Sequence, residues 1–395
     1  MKDVYIIDGV RTPIGAYGGG LSGLTTADLG AVVLKEIIER VGLCGNEIDE
    51  IIMGCCYQNG ENAYSARHAA IKSGLSHEIP ALNVNRLCGS GLESISLISK
   101  NIMLGLNNIS IAGGLDSMST APYLFYEARW GKRMNDAKII DGMTKVLTDP
   151  MLDYHMGGTA ENLAEEFEIT REEQDQLAYE SHQKAVRAKE GGRFDEEIVP
   201  VEVKSKKKTV SIDYDEGPKE ETTMETLAKL PAVFRKGGSV TPGNASSIND
   251  AAAALILAGK DKIKELGLKP KAKLVSFGIV GVEPSRMGLG VVGACNQALK
   301  RADLSLDDMD ILEINEAFAA QVLACEKSLG WDREKLNPNG GAIALGHPIG
   351  VTGSIITIKA VNELKRTNQK YALVSLCIGG GQGIAAVVEN IKSVG

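Results

Sequence analysis

Residues 40–53, RVGLCGNEIDEIIM, recur without a gap at 301–314 as RADLSLDDMDILEI. Each copy reads as a helix end, a short loop and a buried strand. A chain written twice is strongly constrained, because what the first copy forms the second must form as well. The repeat continues downstream. LNVN (82–85) matches LNPN (336–339), and both lead through Gly-rich turns into helical patterns. Leu92, Ile95, Ile102 and Leu106 fall close to one face of the first helix, and Ile355, Ile358, Val361 and Leu364 do the same in the second. Two β-rich runs follow, ISIAGG (109–114) and ALVSLCIGGG (372–381).

The second copy runs straight on through GQGIAAVVENI, whereas the matching strand of the first, NDAAAALILAG, comes only at 249–259. The simplest organisation is a duplicated α/β unit whose first copy carries an insertion. Residues 1–118 and 247–271 then form the first half, 119–246 the inserted domain and 272–395 the second half. Strands alternating with helices predict stacked, mainly parallel sheets covered by helices, with chemistry at the C-terminal strand ends.

Composition narrows the partners. A formal net charge of −8 argues against nucleic acid. The basic run Lys204–Lys208 is short, precedes the acidic stretch Asp213–Glu221, and reads as a solvated hairpin. The opening MKDVYIIDGVRTP lacks a signal peptide's charged head and long apolar core, and no apolar run is long enough to span a bilayer. Seven cysteines do not form a disulfide framework in a chain of this length, so a reducing cytoplasm is the expected setting.

Three residues stand at related strand-end turns. Cys88, in NRLCGSGLES, lies at a strand-to-helix turn, where helix amides favour a thiolate and Gly89 and Gly91 admit a ligand to the backbone. His347 occupies GGAIALGHPIG, an extra loop that duplication alone does not explain. Cys377 lies at a strand end beside Gly379–Gly381, whose amides can face an oxyanion. Asn315 ends a further strand, in ILEINEAFAAQ, where the first copy has Gly54. Taken singly, each of these has a structural reading, a buried thiol or a hydrogen-bonded imidazole. Cys44, Cys55, Cys56, Cys295 and Cys325 are read as inert buried thiols. Zinc is disfavoured because no close Cys-x-x-Cys or His-x-x-x-His pair occurs. GLGVVG (288–293) fits a dinucleotide fingerprint but does not follow its strand directly, since VEPSRM intervenes.

Five blocks, NRLCGSGLES, TPGNASSINDAAAAL, NEAFAAQ, GGAIALGHPIGVTG and CIGGGQG, together resemble the thiolase family over the whole chain, and most of all its short-chain acetyl-CoA acetyltransferases. The resemblance implies a thiolase-like α/β fold and reversible condensation of two acetyl-CoA into acetoacetyl-CoA and CoA, without metal or cofactor, CoA thioesters being the substrates. It implies Cys88 as the acyl-carrying nucleophile and His347 as its base. Cys377 becomes the base at the α-carbon, and Asn315 the holder of an oxyanion-hole water. The amides of Cys88 and Gly379 become a second oxyanion hole. It also implies that the insertion covers CoA, with contacts from His155, Met156, Phe234, Ser246, Met287 and Phe318. Lys219 stands where relatives often carry arginine, which weakens the nucleotide contact it could make. Ser247 replaces a common glycine. The segment 121–136 resembles the loop that pairs dimers into a homotetramer. Two alternatives share the motifs: a longer-chain 3-ketoacyl-CoA thiolase, and a non-catalytic CoA- or lipid-binding relative, which would be expected to lose one of the cysteines or the histidine. Whether Cys88 and Cys377 form a redox bridge is left open by the sequence.

Overall fold

The computed structural model describes residues 2–204 and 208–391. The first half contributes strands β1 (Val4–Arg11), β2 (Ile51–Gly54), β3 (Ala81–Val84), β4 (Ile109–Ser117) and β5 (Asn249–Gly259), with helices α1 (Thr26–Val41) and α2 (Ser90–Met103). Between β4 and β5 the chain makes, among other elements, helices α3 (Met156–Glu166) and α4 (Arg171–Glu190). The second half adds β6 (Ala272–Gly281), β7 (Ile311–Ile314), β8 (Tyr371–Ile378) and β9 (Gln382–Asn390), with α5 (Gly290–Ala302), α6 (Ala319–Leu329) and α7 (Thr352–Thr367).

The strands run in the order β7-β8-β9-β6-β1-β5-β4-β2-β3. Read outward from the centre, β1-β5-β4-β2 on one side matches β6-β9-β8-β7 on the other. Even β3 has a counterpart, since Leu336 bridges to β7 through Leu312. The duplicated segments 40–53 and 301–314 form the same structure twice: a helix closed by a left-handed residue, Gly42 or Asp303, and then β2 or β7. Within the sheet the two halves join through three residue pairs, Val4–Ile6 of β1 against Ala272–Leu274 of β6.

The expectation of mainly parallel sheets is corrected. Only β2–β3, β2–β4 and β7–β8 are parallel, and the central strands pair antiparallel. Parallel neighbours need helical crossovers, which exist only in the outer part of each half. β8 turns into β9 through Gly379–Gly381, with Gly380 and Gly381 at φ 81° and 79°, so this pair is a hairpin.

Three apolar cores separate the layers. Helix α1 covers the outer face of the first half, with Leu29, Val33 and Ile37 against β1, β2, β4 and β5. Helices α5 and α6 cover the outer face of the second. Helices α2 and α7 fill the middle, between the two halves. Leu92, Ile95 and Ile102 are buried there, as are Ile355, Ile358, Val361 and Leu364. Leu106, expected on the same face, lies beyond the end of α2 and is exposed. Gly91 allows the middle helices to touch, because a Cβ there would sit 2.8 Å from the Ser354 amide nitrogen. The segments flanking the basic run pair as a hairpin, Val201–Lys204 with Thr209–Ile212; residues 205–207 of that run lie outside the described residues.

One buried cation ties β1 to the segment between β4 and β5. The Arg11 guanidinium is fully buried, donates from Nε to Glu197 (2.8 Å) and forks onto Asp215 (2.6 and 2.9 Å). Removing it leaves two carboxylates buried without their partner. Arg11→Leu should therefore cost about 3–5 kcal/mol in urea unfolding. A loss below about 1 kcal/mol would show that this network contributes little.

Candidate active site

Cys88 stands at the mouth of α2 on a sharp turn. Leu87 adopts a left-handed φ of 44°, rare for a branched residue, and hydrogen bonds around it hold the strain. The Asn85 side chain accepts from the Leu87 amide (2.9 Å). The Ser90 hydroxyl donates to the Leu87 carbonyl (2.6 Å) and accepts from the Arg86 amide (2.8 Å). The turn leaves Cys88 half-buried, with the amides of Gly379 and of Cys88 itself aimed at its sulfur.

The amides expected to favour a thiolate do so, but they act against burial. Burial pushes the Cys88 thiol up to about 11, outweighing the two amides that favour the thiolate. The glycines beside it serve packing rather than ligand approach. A Cβ on Gly89 would meet Ile378 at 2.5 Å, and the space at Gly91 is taken by Ser354.

His347 is buried in the loop before α7, and burial lowers its imidazole to about 4. Its tautomer follows from its neighbour. The Thr352 hydroxyl donates its one proton to the Pro348 carbonyl (2.9 Å), so it can only accept from His347 Nδ1 (2.7 Å). Nε2 therefore carries the lone pair, and the Asn315 amide Nδ2 lies 3.4 Å from it. The first half positions this loop of the second. Asn249, opening β5, accepts from the His347 amide (2.9 Å) and donates to the Gly15 carbonyl (3.0 Å). The Asp116 carboxylate, in β4, accepts from the amides of Cys56 (3.0 Å) and Gly350 (2.7 Å).

Cys377 is fully buried near the end of β8. Burial first, and then the neighbouring Cys88, push its thiol well above the usual range. Cys55, Cys56, Cys295 and Cys325 are buried as expected, but Cys44 is exposed in the loop after α1, where no core reaches it. All seven cysteines are free thiols.

A cavity of about 380 Å³ opens above these groups, with Cys88, His347 and Gly379 in its wall. His155, Met156, Phe234, Ser246, Met287 and Phe318, all singled out from the sequence, line it too. His155 stacks on Phe234 at 4.7 Å between centroids, and Phe234 meets Phe318 edge-on at 5.9 Å. His155 Nδ1 accepts from the Gly157 amide (3.0 Å) and so caps α3. In the neutral ring this leaves Nε2 as the N–H donor. Lys219 does not join the group. It is exposed, outside the cavity wall, with its backbone amide on His182. Thr352, Asp116 and Asn249 were not found from the sequence. Their only signal is a polar residue in a buried run, such as Asp116 in ISIAGGLDS.

Residues 4–261 match the model of the thiolase N-terminal domain and 268–390 that of the C-terminal domain. The chain belongs to the thiolase family. It is 48% identical to beta-ketothiolase BktB of Cupriavidus necator, over 99% of this chain and 100% of that protein. It is equally similar, with the same coverage, to an acetyl-CoA acetyltransferase of Pseudomonas aeruginosa. The crystal structure of the Bacillus anthracis acetyl-CoA acetyltransferase superposes with a TM-score of 0.98 at 45% identity, covering 99% of both chains. Human mitochondrial 3-ketoacyl-CoA thiolase in complex with CoA gives 0.96 at 44% identity, over 99% of this chain and 98% of that one. Among the described residues of this thiolase, no helix is long and apolar enough to cross a membrane.

With the Cys88 thiol near 11 and the His347 imidazole near 4, the free thiolase should hold a neutral pair at neutral pH. Iodoacetamide alkylation of Cys88 should then climb about tenfold per unit between roughly pH 6 and 9, following the thiolate fraction. A rate flat across that range would mean a preformed thiolate–imidazolium pair.

Proposed function

We propose that this thiolase is an acetyl-CoA C-acetyltransferase that works through an acetyl thioester on Cys88. The convergence of Cys88, His347 and the Gly379 amide on one apolar cavity, with Cys377 adjoining Cys88, supports this reading most directly.

In the first half-reaction Cys88 Sγ attacks the thioester carbon of acetyl-CoA while its proton passes to His347 Nε2. Passing the proton as the attack proceeds avoids a free thiolate, which burial of Cys88 disfavours. The negative charge moves to the thioester oxygen, toward the amides of Cys88 and Gly379. Collapse breaks the bond to the CoA sulfur, which takes the proton of Cys377 and leaves as CoA. The amides of Cys88 and Gly379, which face the free sulfur, then serve the carbonyl oxygen of acetyl-Cys88. In the second half-reaction the Cys377 thiolate removes an α-proton from a second acetyl-CoA, whose enolate oxygen faces the protonated His347 Nε2 and the Asn315 amide. The enolate carbon attacks the acetyl carbon, the bond to Cys88 breaks, and His347 returns its proton to the sulfur. Acetoacetyl-CoA is the product, every step is reversible, and thiolysis is the same path backwards.

The segment 119–246 acts as an inserted domain between residues 1–118 with 247–271 and residues 272–395. It supplies His155, Met156, Phe234 and Ser246 to the pantetheine channel, and Met287 and Phe318 close the channel from the second half. Coenzyme A thioesters are the substrates, and no separate cofactor takes part. Lys219 contributes at most a solvent-screened charge to the nucleotide end. We also read the protein as a cytoplasmic homotetramer, a dimer of dimers. Tyr123, Tyr126, Trp130 and Met134 present a run of exposed apolar side chains that suits such a contact.

Serine variants at the two cysteines should fail differently. Cys88→Ser should take no acetyl group from acetyl-CoA. Cys377→Ser should still be acetylated but lose most exchange of the acetyl-CoA α-hydrogens with deuterated water, followed by NMR. Undiminished exchange in Cys377→Ser would remove the α-carbon base from the scheme.

A further inference from the structure

Strand β7 and the residue that follows it place two buried polar side chains two positions apart, Glu313 and Asn315, and only Asn315 has a place in the chemistry above. Glu313 is fully buried and pairs with Lys359 of α7, itself almost fully buried, at 3.0 Å. An ion pair inside an apolar middle layer is costly to desolvate and does not explain itself as a stabiliser. Its hydrogen bonds leave a specific remainder. Lys359 Nζ has three protons and gives one to Glu313 Oε2 and one to the Gly340 carbonyl (2.6 Å), so one proton is left. Glu313 Oε1 and Asn315 Oδ1 are both buried without a hydrogen-bond partner.

Glu313, Asn315 and Lys359 line one small cavity whose wall consists of buried residues. Thr352, the partner of His347 Nδ1, lies in the same wall. About 10 Å³ of it is open to the centre of a water, close to the space one molecule needs. The neighbouring Asn337 cannot fill the gap, because its amide is committed to both backbone groups of Ile314 and to Glu316.

We propose that the buried Glu313–Lys359 pair positions the Asn315 amide through one water held in this cavity. The water accepts the third proton of Lys359 and donates to Glu313 Oε1 and Asn315 Oδ1. Three partners satisfy it, and all three orphaned groups are satisfied in turn. The consequence falls on the far end of the amide. With Oδ1 anchored to the water, Nδ2 must face His347 Nε2, which is the orientation that donates toward the enolate oxygen. An amide with no anchor could turn over and present an oxygen to that same charge. Glu313 and Lys359 are thus positioning residues, acting through Asn315 on the step that makes the carbanion. This rests on the role assigned to Asn315 above.

Two measurements test it. The first uses the unaltered protein. A crystal structure should show an ordered water within hydrogen-bond distance of Glu313 Oε1, Asn315 Oδ1 and Lys359 Nζ; a dry cavity, or Asn315 Oδ1 turned to His347, would overturn the proposal. The second replaces the pair by apolar residues of similar size, Glu313→Leu with Lys359→Met, a change that buried ion pairs often tolerate. Acetylation of Cys88 and the KM for acetyl-CoA should stay within about threefold, while α-hydrogen exchange and kcat for condensation should fall about tenfold, the worth of one orienting hydrogen bond. Equal losses in acetylation and exchange would mark the pair as merely structural. Asn315→Ala separates the two levels. Unchanged exchange in that variant would reject the role of Asn315 itself. Lost exchange there, with normal exchange in the double variant, would reject only the positioning by Glu313 and Lys359.

Discussion

Desolvation is the constraint on which the rest of this site depends. Burial raises the Cys88 and Cys377 thiols and lowers the His347 imidazole, so the protein disfavours charge where the chemistry occurs. Charges in such a place are stabilised only by groups already aimed at them. That is why the amides of Gly379 and Cys88, the Thr352 hydroxyl and the Asn315 amide stand beside the reacting groups before a substrate arrives. A wetter site would tolerate looser groups but would not generate a carbanion beside a thioester.

The dry site exists because the two halves are brought face to face. Helices α2 and α7 form the middle layer, and the nucleophile and the imidazole lie at their N-terminal turns. The contact is polar as well as apolar. Asp116 and Asn249 of the first half hold the backbone of the His347 loop in the second. Duplication thus supplies two similar turns, and asymmetry between them supplies the chemistry: a thiol on one, an imidazole within an extra loop on the other. The segment between β4 and β5 closes the remaining side through the stacked rings of His155 and Phe234.

Much of this was legible in the sequence because periodicity and repetition report packing directly. The match of 40–53 to 301–314 and the late strand 249–259 gave the two halves, and Gly-rich turns at equivalent strand ends gave Cys88, His347 and Cys377. Strand direction was not legible, because an apolar run looks the same in parallel and antiparallel pairing. The balance at Cys88 is hidden for a related reason: a helix start is visible in sequence, whereas the depth at which it lies is a tertiary property. Thr352, Asp116 and Asn249 escaped because a side chain that orients another has no spacing of its own. Lys219 was carried over by resemblance alone and stands apart from the cavity.

The central claim is that Cys88, and not its buried neighbour Cys377, carries the acyl group between two CoA thioesters. Brief exposure to carbonyl-labelled acetyl-CoA, acid quench and peptide mass mapping at low pH tests it most directly. The account predicts the labelled acetyl mass on the peptide containing LCGSG, discharged on adding CoA. The label on the LCIGGG peptide, with none on Cys88, would contradict it.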